Sequence, residues 1–191
     1  MKPVMPAKDA ADLVRLMESA GIDVWLDGGW AVDAVLGEQT RPHKDLDIIL
    51  HKQHLPKLRE ILASRGFETQ AGGTPSNFVL SISSGLDVDV HAIVFDSDGN
   101  GLYEMADGGT WVFPAHGFEG SGCIADVRVQ CLTPDIQVYC HAHGYVPSEK
   151  DFRDMELLEQ RFGVELPAHL RRGPAAQHLL GPRLSIGARV P

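Results

Sequence analysis

Two aspartates two positions apart, Asp45 and Asp47, stand directly before the apolar run Ile48-Ile49-Leu50. On a β-strand, residues i and i+2 point to the same side, so the two carboxylates converge while Leu46 and Ile48 face a core. Like charges held this close repel and lose hydration unless a proton or a cation compensates them. Mg²⁺ takes such oxygen ligands, usually one or two carboxylates completed by water and substrate phosphates. Taken alone, an Asp-x-Asp pair also fits a solvated strand end. The segment Leu86-Asp87-Val88-Asp89-Val90-His91-Ala92-Ile93 adds weight to the first reading. Its strict alternation puts Asp87, Asp89 and His91 on one face and Val88, Val90 and Ala92 on the other. A half-buried strand accounts for the apolar face, but it does not require acids at successive polar positions. Laid beside residues 45–50, this strand gathers three or four carboxylates. That arrangement suits two Mg²⁺ ions clamping an in-line phosphoryl displacement.

Upstream lies Asp27-Gly28-Gly29-Trp30, a glycine turn between a strand and a helix. Glycines let the backbone approach phosphate oxygens, and a helix N-terminus favours negative charge. Arg41, His43 and Lys44, just before Asp45, are placed to meet a triphosphate tail, or else form an ordinary solvated loop. Cys140, His141 and His143 are metal-ligand types, but helical spacing spreads them over different faces and no partner pair accompanies them. Lys150 reads as a solvated lysine near a helix start. Trp25, Trp30 and Trp111 read as core, with Trp30 also bordering any pocket at the glycines. Asp33, Arg153 and Asp154 read as exposed helix positions.

Periodicity gives the elements that must position these groups. Residues 8–20 carry Leu13, Leu16, Met17 and Ala20 at helical spacing, and Gly21 suits the position after the helix. Residues 22–26 read as a short strand, and 30–36 as a helix stopped by Gly37. Residues 46–50 form a mostly buried strand, followed by a helix over 55–64 that ends at Gly66. Strands follow at 77–83, 86–95, 110–113 and 127–132, separated by Gly-rich turns at 98–101 and 117–122. Thr133-Pro134-Asp135 opens a helix into 136–141, and Ser148 caps a last amphipathic helix over 148–162. The order is α/β (α+β), with a mixed central sheet flanked by helices. It is not the regular alternation of a doubly wound parallel sheet. Residues 1–167 form one domain, and 168–191, without sustained periodicity, form an accessory or poorly ordered tail.

Composition narrows the partners. The chain has 191 residues with 17 Lys+Arg against 26 Asp+Glu, a net charge of −9. An acidic balance argues against nucleic-acid and membrane-surface binding, both of which need a basic face. Three cysteines form no C-x-x-C pair, no apolar stretch reaches a membrane span, and the first residues lack a signal-peptide run. A cytoplasmic setting is expected.

The motifs Trp25-Leu26-Asp27-Gly28-Gly29-Trp30, His43-Lys44-Asp45-Leu46-Asp47, Val88-Asp89-Val90-His91 and His143-Gly144-Tyr145 together resemble one group of enzymes. These are the small antibiotic nucleotidyltransferases of the DNA polymerase β-like superfamily, in particular the short lincosamide nucleotidyltransferases. The resemblance covers about residues 14–167. It implies the polymerase β-like fold and transfer of a nucleoside monophosphate from ATP or another nucleoside triphosphate to a hydroxyl of a small antibiotic. It further implies that Asp45 and Asp47 hold two Mg²⁺ ions, and that Asp89 holds one of them and accepts the hydroxyl proton. Gly28 and Gly29, with Arg41 and Lys44, would face the triphosphate. Asp87 is the alternative third acid, since a shift by one strand pitch exchanges it with Asp89. His91 would support Asp89 or touch substrate, as would Trp30, His143 and Tyr145. Dimers occur in some branches. Net charge does not separate a lincosamide from an aminoglycoside, and an aminoglycoside or protein hydroxyl as acceptor fits the same motifs. So does a catalytically silent nucleotide-binding module.

Overall fold

The computed structural model describes residues 4–171. Its centre is β2 (Asp45–His51), which buries Leu46, Ile48, Ile49 and Leu50 completely, paired with β5 (Asp87–Phe95), which buries Val88, Val90, Ala92 and Ile93. Apolar runs of this kind form strands covered on both faces, and the two pair in parallel as such strands do. On the other edge of β2 lies β1 (Val24–Asp27), antiparallel. The free edge of β5 is shared. Its first half pairs with β4 (Asn77–Ser81) and its end with β6 (Gly101–Glu104). β3 (Glu68–Thr69) extends β4, and β7 (Thr110–Phe113) extends β6. The result is the expected mixed sheet, with seven strands among the described residues.

One face of this sheet is wholly apolar. Leu46, Ile48, Leu50, Val88 and Val90 cluster with Val14 and Met17 of α1 (Ala7–Ser19) and with Leu58 and Leu62 of α3 (Leu55–Ala63). The other face changes character along its length. At one end Ile49 and Ile93 meet Phe113, Leu132 and Ile136, the last on α4 (Pro134–His143). At the other end stand the aspartates. α2 (Gly28–Leu36) leaves directly from β1 and is stopped by Gly37 in the left-handed region. Its Val32 joins Val138 of α4 and Met155 and Leu158 of α5 (Glu149–Phe162). α5 starts at the expected cap: Ser148 and Asp151 form a reciprocal capping box.

Three strands are absent from the sequence reading: the two-residue β3, β6, and β8 (Ser121–Ile124), which pairs with β9 (Val127–Gln130) as a separate hairpin. β6 and β8 begin inside segments read as Gly-rich turns. Their glycines serve close packing instead: a Cβ on Gly122 would collide with the Ala34 carbonyl of α2, and one on Gly101 with Phe118 and Ile93. Packed structure also continues past 167. Residues Ala168–Leu170 form a 3₁₀ turn and bury Leu170 in the α2–α4–α5 cluster, which stabilises by about 2 kcal/mol. The rest of the expected tail, 172–191, lies outside the described residues.

Candidate active site

Strand register alone builds an acidic row. β1 sets Asp27 opposite Asp47, and β5 sets Asp89 opposite Asp47 on the other side, so three adjacent strands carry one carboxylate each at the same level. Asp45 lies on the same face, one pleat away. All four line a cleft of about 380 Å³ together with Gly28, Gly29, Arg41 and His43. Asp47 bears the consequence. Burial, followed by the charges of Asp45, Asp27 and Asp89, pushes its carboxyl well above the usual range. Burial also raises Asp89, against the opposing pull of His91. Asp89 Oδ1 is buried without a hydrogen-bond partner.

Ligand atoms of Asp47, Asp89 and His91 all lie within 4.8 Å of one another. A hard divalent cation fits the carboxylates of this set: oxygen donors converge and one is unpartnered. His91 has a different part. The Asn77 side-chain amide donates to its Nδ1 at 2.9 Å, so Nε2 carries the proton and faces Asp89 Oδ1 at 3.8 Å.

The two glycines make room for these groups. Gly28 has φ +60° and directly abuts the Asp47 carboxylate, where any Cβ would displace Oδ2. A Cβ on Gly29 would collide with the His43 ring and the Arg41 guanidinium. Asp27 caps α2, its Oδ1 accepting the Gly28 N–H at 2.7 Å.

Basic side chains of the 37–44 loop reach the same cleft at Gly29. Arg41 donates to Asp154 from Nε (3.0 Å to Oδ2) and from Nη2 (2.6 Å), and from Nη1 to His43 Nδ1 at 3.0 Å. Burial opposes the charge of Arg41, but the bonds to Asp154 outweigh it and hold the guanidinium above its usual value. His43 Nε2 meets Asp33, whose second oxygen accepts the Thr40 hydroxyl at 2.6 Å. Asp33 and Asp154, read from sequence as exposed, are therefore buried, at 3 % and 1 % exposure. Both face a basic partner that comes from the 37–44 loop, and helical spacing gives no sign of that. Arg153 is exposed as expected.

The remaining expected residues divide. Tyr145 lines the cleft, and its hydroxyl donates to Asp151 at 3.0 Å; burial and that carboxylate raise the phenol. Lys150 also lines the cleft, close enough to act on Asp47. Lys44, just before β2, is exposed and outside the cleft lining. Asp87 takes the Ser81 hydroxyl and does not line the cleft, so Asp89 is the acid that stands beside Asp47. His143 is exposed and its ring packs at a tilt against Tyr139. Trp30 is core, 1 % exposed, and reaches the cleft only through its contact with His43. Sequence reasoning missed Asp27, although an acid ending one apolar strand just before the glycines marks the same level as acids opening the next. It also missed the wall of Tyr103, Met105, Trp111 and Phe113, supplied by and beside β6 and β7. Cys140 lines the cleft too, but burial raises its thiol, which makes it a poor nucleophile.

An acid-bearing mixed sheet behind a Gly-Gly helix start is the fold of a nucleotidyltransferase. The profile of the aminoglycoside-2''-adenylyltransferase family matches residues 10–158, and the chain belongs to that family. A lincosamide resistance protein of Staphylococcus haemolyticus is 30 % identical over 152 residues, 80 % of this chain and 93 % of the relative. The crystal structure of the lincomycin-bound lincosamide antibiotic adenylyltransferase LnuA superposes with a TM-score of 0.73 at 29 % identity, covering 82 % of this chain and 98 % of that one. The complex of ANT(2")-Ia with adenylyl-2"-tobramycin shares the fold at 20 % identity, with a TM-score of 0.63 over 81 % and 87 % of the two chains. The resemblance and the fold read from the motifs hold, and the chain is a nucleotidyltransferase. Among the described residues, no helix is long and apolar enough to cross a membrane.

Proposed function

We propose that this protein transfers AMP from ATP to a hydroxyl of a lincosamide antibiotic, with Mg²⁺ held by Asp45, Asp47 and Asp89. The observation that carries the proposal is the Asp27–Asp47–Asp89 row with its unpartnered buried oxygen, in one cleft with Arg41. Two Mg²⁺ ions, when bound, supply the positive charge that lets a triphosphate lie against carboxylates. The chain's own residues do the rest. Arg41 and Lys150 bind phosphate oxygens, and Gly28 and Gly29 let Asp47, Arg41 and His43 come together. The acceptor oxygen forms a bond to the α-phosphorus, the bond from that phosphorus to the leaving pyrophosphate breaks, and the hydroxyl proton passes to Asp89. Asn77 orients the His91 ring, whose Nε2 stands beside the Asp89 carboxylate.

The acceptor side supports a lincosamide. Tyr103, Met105, Trp111 and Phe113 give the cleft an apolar flank suited to a ligand with a single amine. Asp151, a further acid of the cleft, is already engaged by Ser148, Tyr145 and His141. The family's own description favours a second reading, an aminoglycoside acceptor. A donor of this kind places the reaction in the cytoplasm. Purified protein with ATP, Mg²⁺ and lincomycin or clindamycin should release pyrophosphate. Release with tobramycin and none with lincosamides would establish the second reading instead, and binding of ATP without release in any panel would mark a silent nucleotide-binding module.

A further inference from the structure

The geometry points to Asp154 as a positioning residue for the nucleotide: by clamping Arg41, it sets where the donor's phosphates sit. The inference rests on the reading above that a nucleoside triphosphate occupies this cleft.

The clamp is specific in shape. Arg41 comes from the 37–44 loop and Asp154 from α5, 113 positions further along the chain. Nε lies 3.1 Å from one Asp154 oxygen and 3.0 Å from the other, and Nη2 lies 2.6 Å from the second. Only a planar fork makes this set of bonds, so lysine cannot replace Arg41. The Nη1 side is fixed as well. Arginine can only donate, so His43 Nδ1 accepts at 3.0 Å and its Nε2 bears the proton toward Asp33. Thr40 then holds Asp33 through both its backbone N–H at 3.1 Å and its hydroxyl at 2.6 Å. The chain Thr40–Asp33–His43–Arg41–Asp154 is thus immobilised at both ends by acids no more than 3 % exposed.

Such a network exceeds what holding the loop against α5 requires. A buried ion pair is often no more stabilising than apolar side chains of the same volume, so its presence here calls for a function. Arg41 keeps one N–H on Nη2 with no acceptor among the described residues, at the edge that abuts Gly29 and lines the cleft. An arginine whose other donors are all engaged presents that edge at a fixed place, which suits an anion arriving in one orientation.

The test compares Asp154→Asn, Asp154→Glu and Arg41→Lys with the wild type in steady-state kinetics, varying ATP and lincomycin separately. Circular dichroism establishes which variants fold. Asp154→Asn should raise KM for ATP about tenfold, the worth of one charge-assisted hydrogen bond, and leave KM for lincomycin unchanged. kcat should move much less than KM for ATP. Arg41→Lys should give the same defect, and the double variant should be no worse than either single one, because all interrupt one linkage. Asp154→Glu, which keeps the charge, should recover part of the loss. A folded Asp154→Asn enzyme with wild-type KM for ATP overturns the inference while leaving the proposed reaction standing. So does a double variant whose defects multiply. If only Asp154→Glu folds, its KM for ATP decides on its own, and a wild-type value overturns the inference. A wild-type protein that neither binds nor consumes any nucleoside triphosphate overturns both.

Discussion

The two walls of the cleft have opposite electrostatic character. On the sheet side, Asp27, Asp45, Asp47 and Asp89 crowd together, one carboxyl is raised well above its usual range, and one buried oxygen has no hydrogen-bond partner among the described residues. On the side of the 37–44 loop, Arg41 and His43 have acids on both flanks and their hydrogen bonds are nearly complete. The first wall is destabilised in the free protein and completed by a ligand; the second is complete beforehand and serves as a fixed reference. Strain concentrated where a cation must bind, next to a rigid frame, is how a site is held ready without the ligand.

Substitutions on the two walls should therefore behave oppositely. The largest effect belongs to Asp47→Asn. It should lower turnover by about three orders of magnitude, as expected on losing charge stabilisation at a phosphoryl centre, and yet raise the melting temperature of the metal-free protein. A stabilised but active variant would refute the metal role, and a destabilised one would refute the strain. Asp33→Ala should do the reverse. It leaves His43 and Thr40 without their buried partner and should cost about 3 kcal/mol in urea unfolding. A loss within experimental error would show that the second wall is not a frame.

The acids also predict a pH dependence. An unfolded aspartate titrates near 4, and the folded Asp47 titrates higher, so between these values the folded state holds the extra proton. The stability of metal-free protein should accordingly fall as pH rises from about 4 through the raised value, then level off. Urea midpoints measured across that range should show this decline in the wild type and a shallower one in Asp47→Asn. The smallest effect is reserved for Lys44→Ala. That side chain is exposed and outside the cleft lining, so stability should shift by under about 0.5 kcal/mol and KM for ATP not at all. A rise in KM would return Lys44 to the phosphate site.

The first wall was largely legible in the sequence, and the second was not. Asp45, Asp47 and Asp89 announce themselves because strand alternation is local: a period of two puts acids on one face without knowledge of any partner strand. The choice between Asp87 and Asp89 needed the β2–β5 register, and Asp27 needed the β1–β2 register, both of which are long-range. Arg41 carried a correct sign but no partner. Its acid sits 113 positions away on a helix whose polar face reads as solvated from periodicity alone. Gly28 and Gly29 were visible as glycines, whereas what they adjoin, Asp47 on one and His43 with Arg41 on the other, was not. The helices α1, α2, α3, α4 and α5 and strands β1, β2, β4, β5, β7 and β9 were readable from local pattern, while the short β3 and the Gly-bearing β6 and β8 depend on neighbours that cover them.

One measurement bears most directly on the acidic row as a cation-dependent transfer site. Lincomycin is incubated with ATP and the enzyme, in parallel with Mg²⁺ and with a chelator, and the antibiotic is then analysed by mass spectrometry. The account predicts a product heavier by one adenylyl group, formed with Mg²⁺, absent with the chelator, and absent with Asp47→Asn under both conditions. Adenylylated lincomycin formed equally well by Asp47→Asn, or by the wild type with all divalent cations removed, would contradict it.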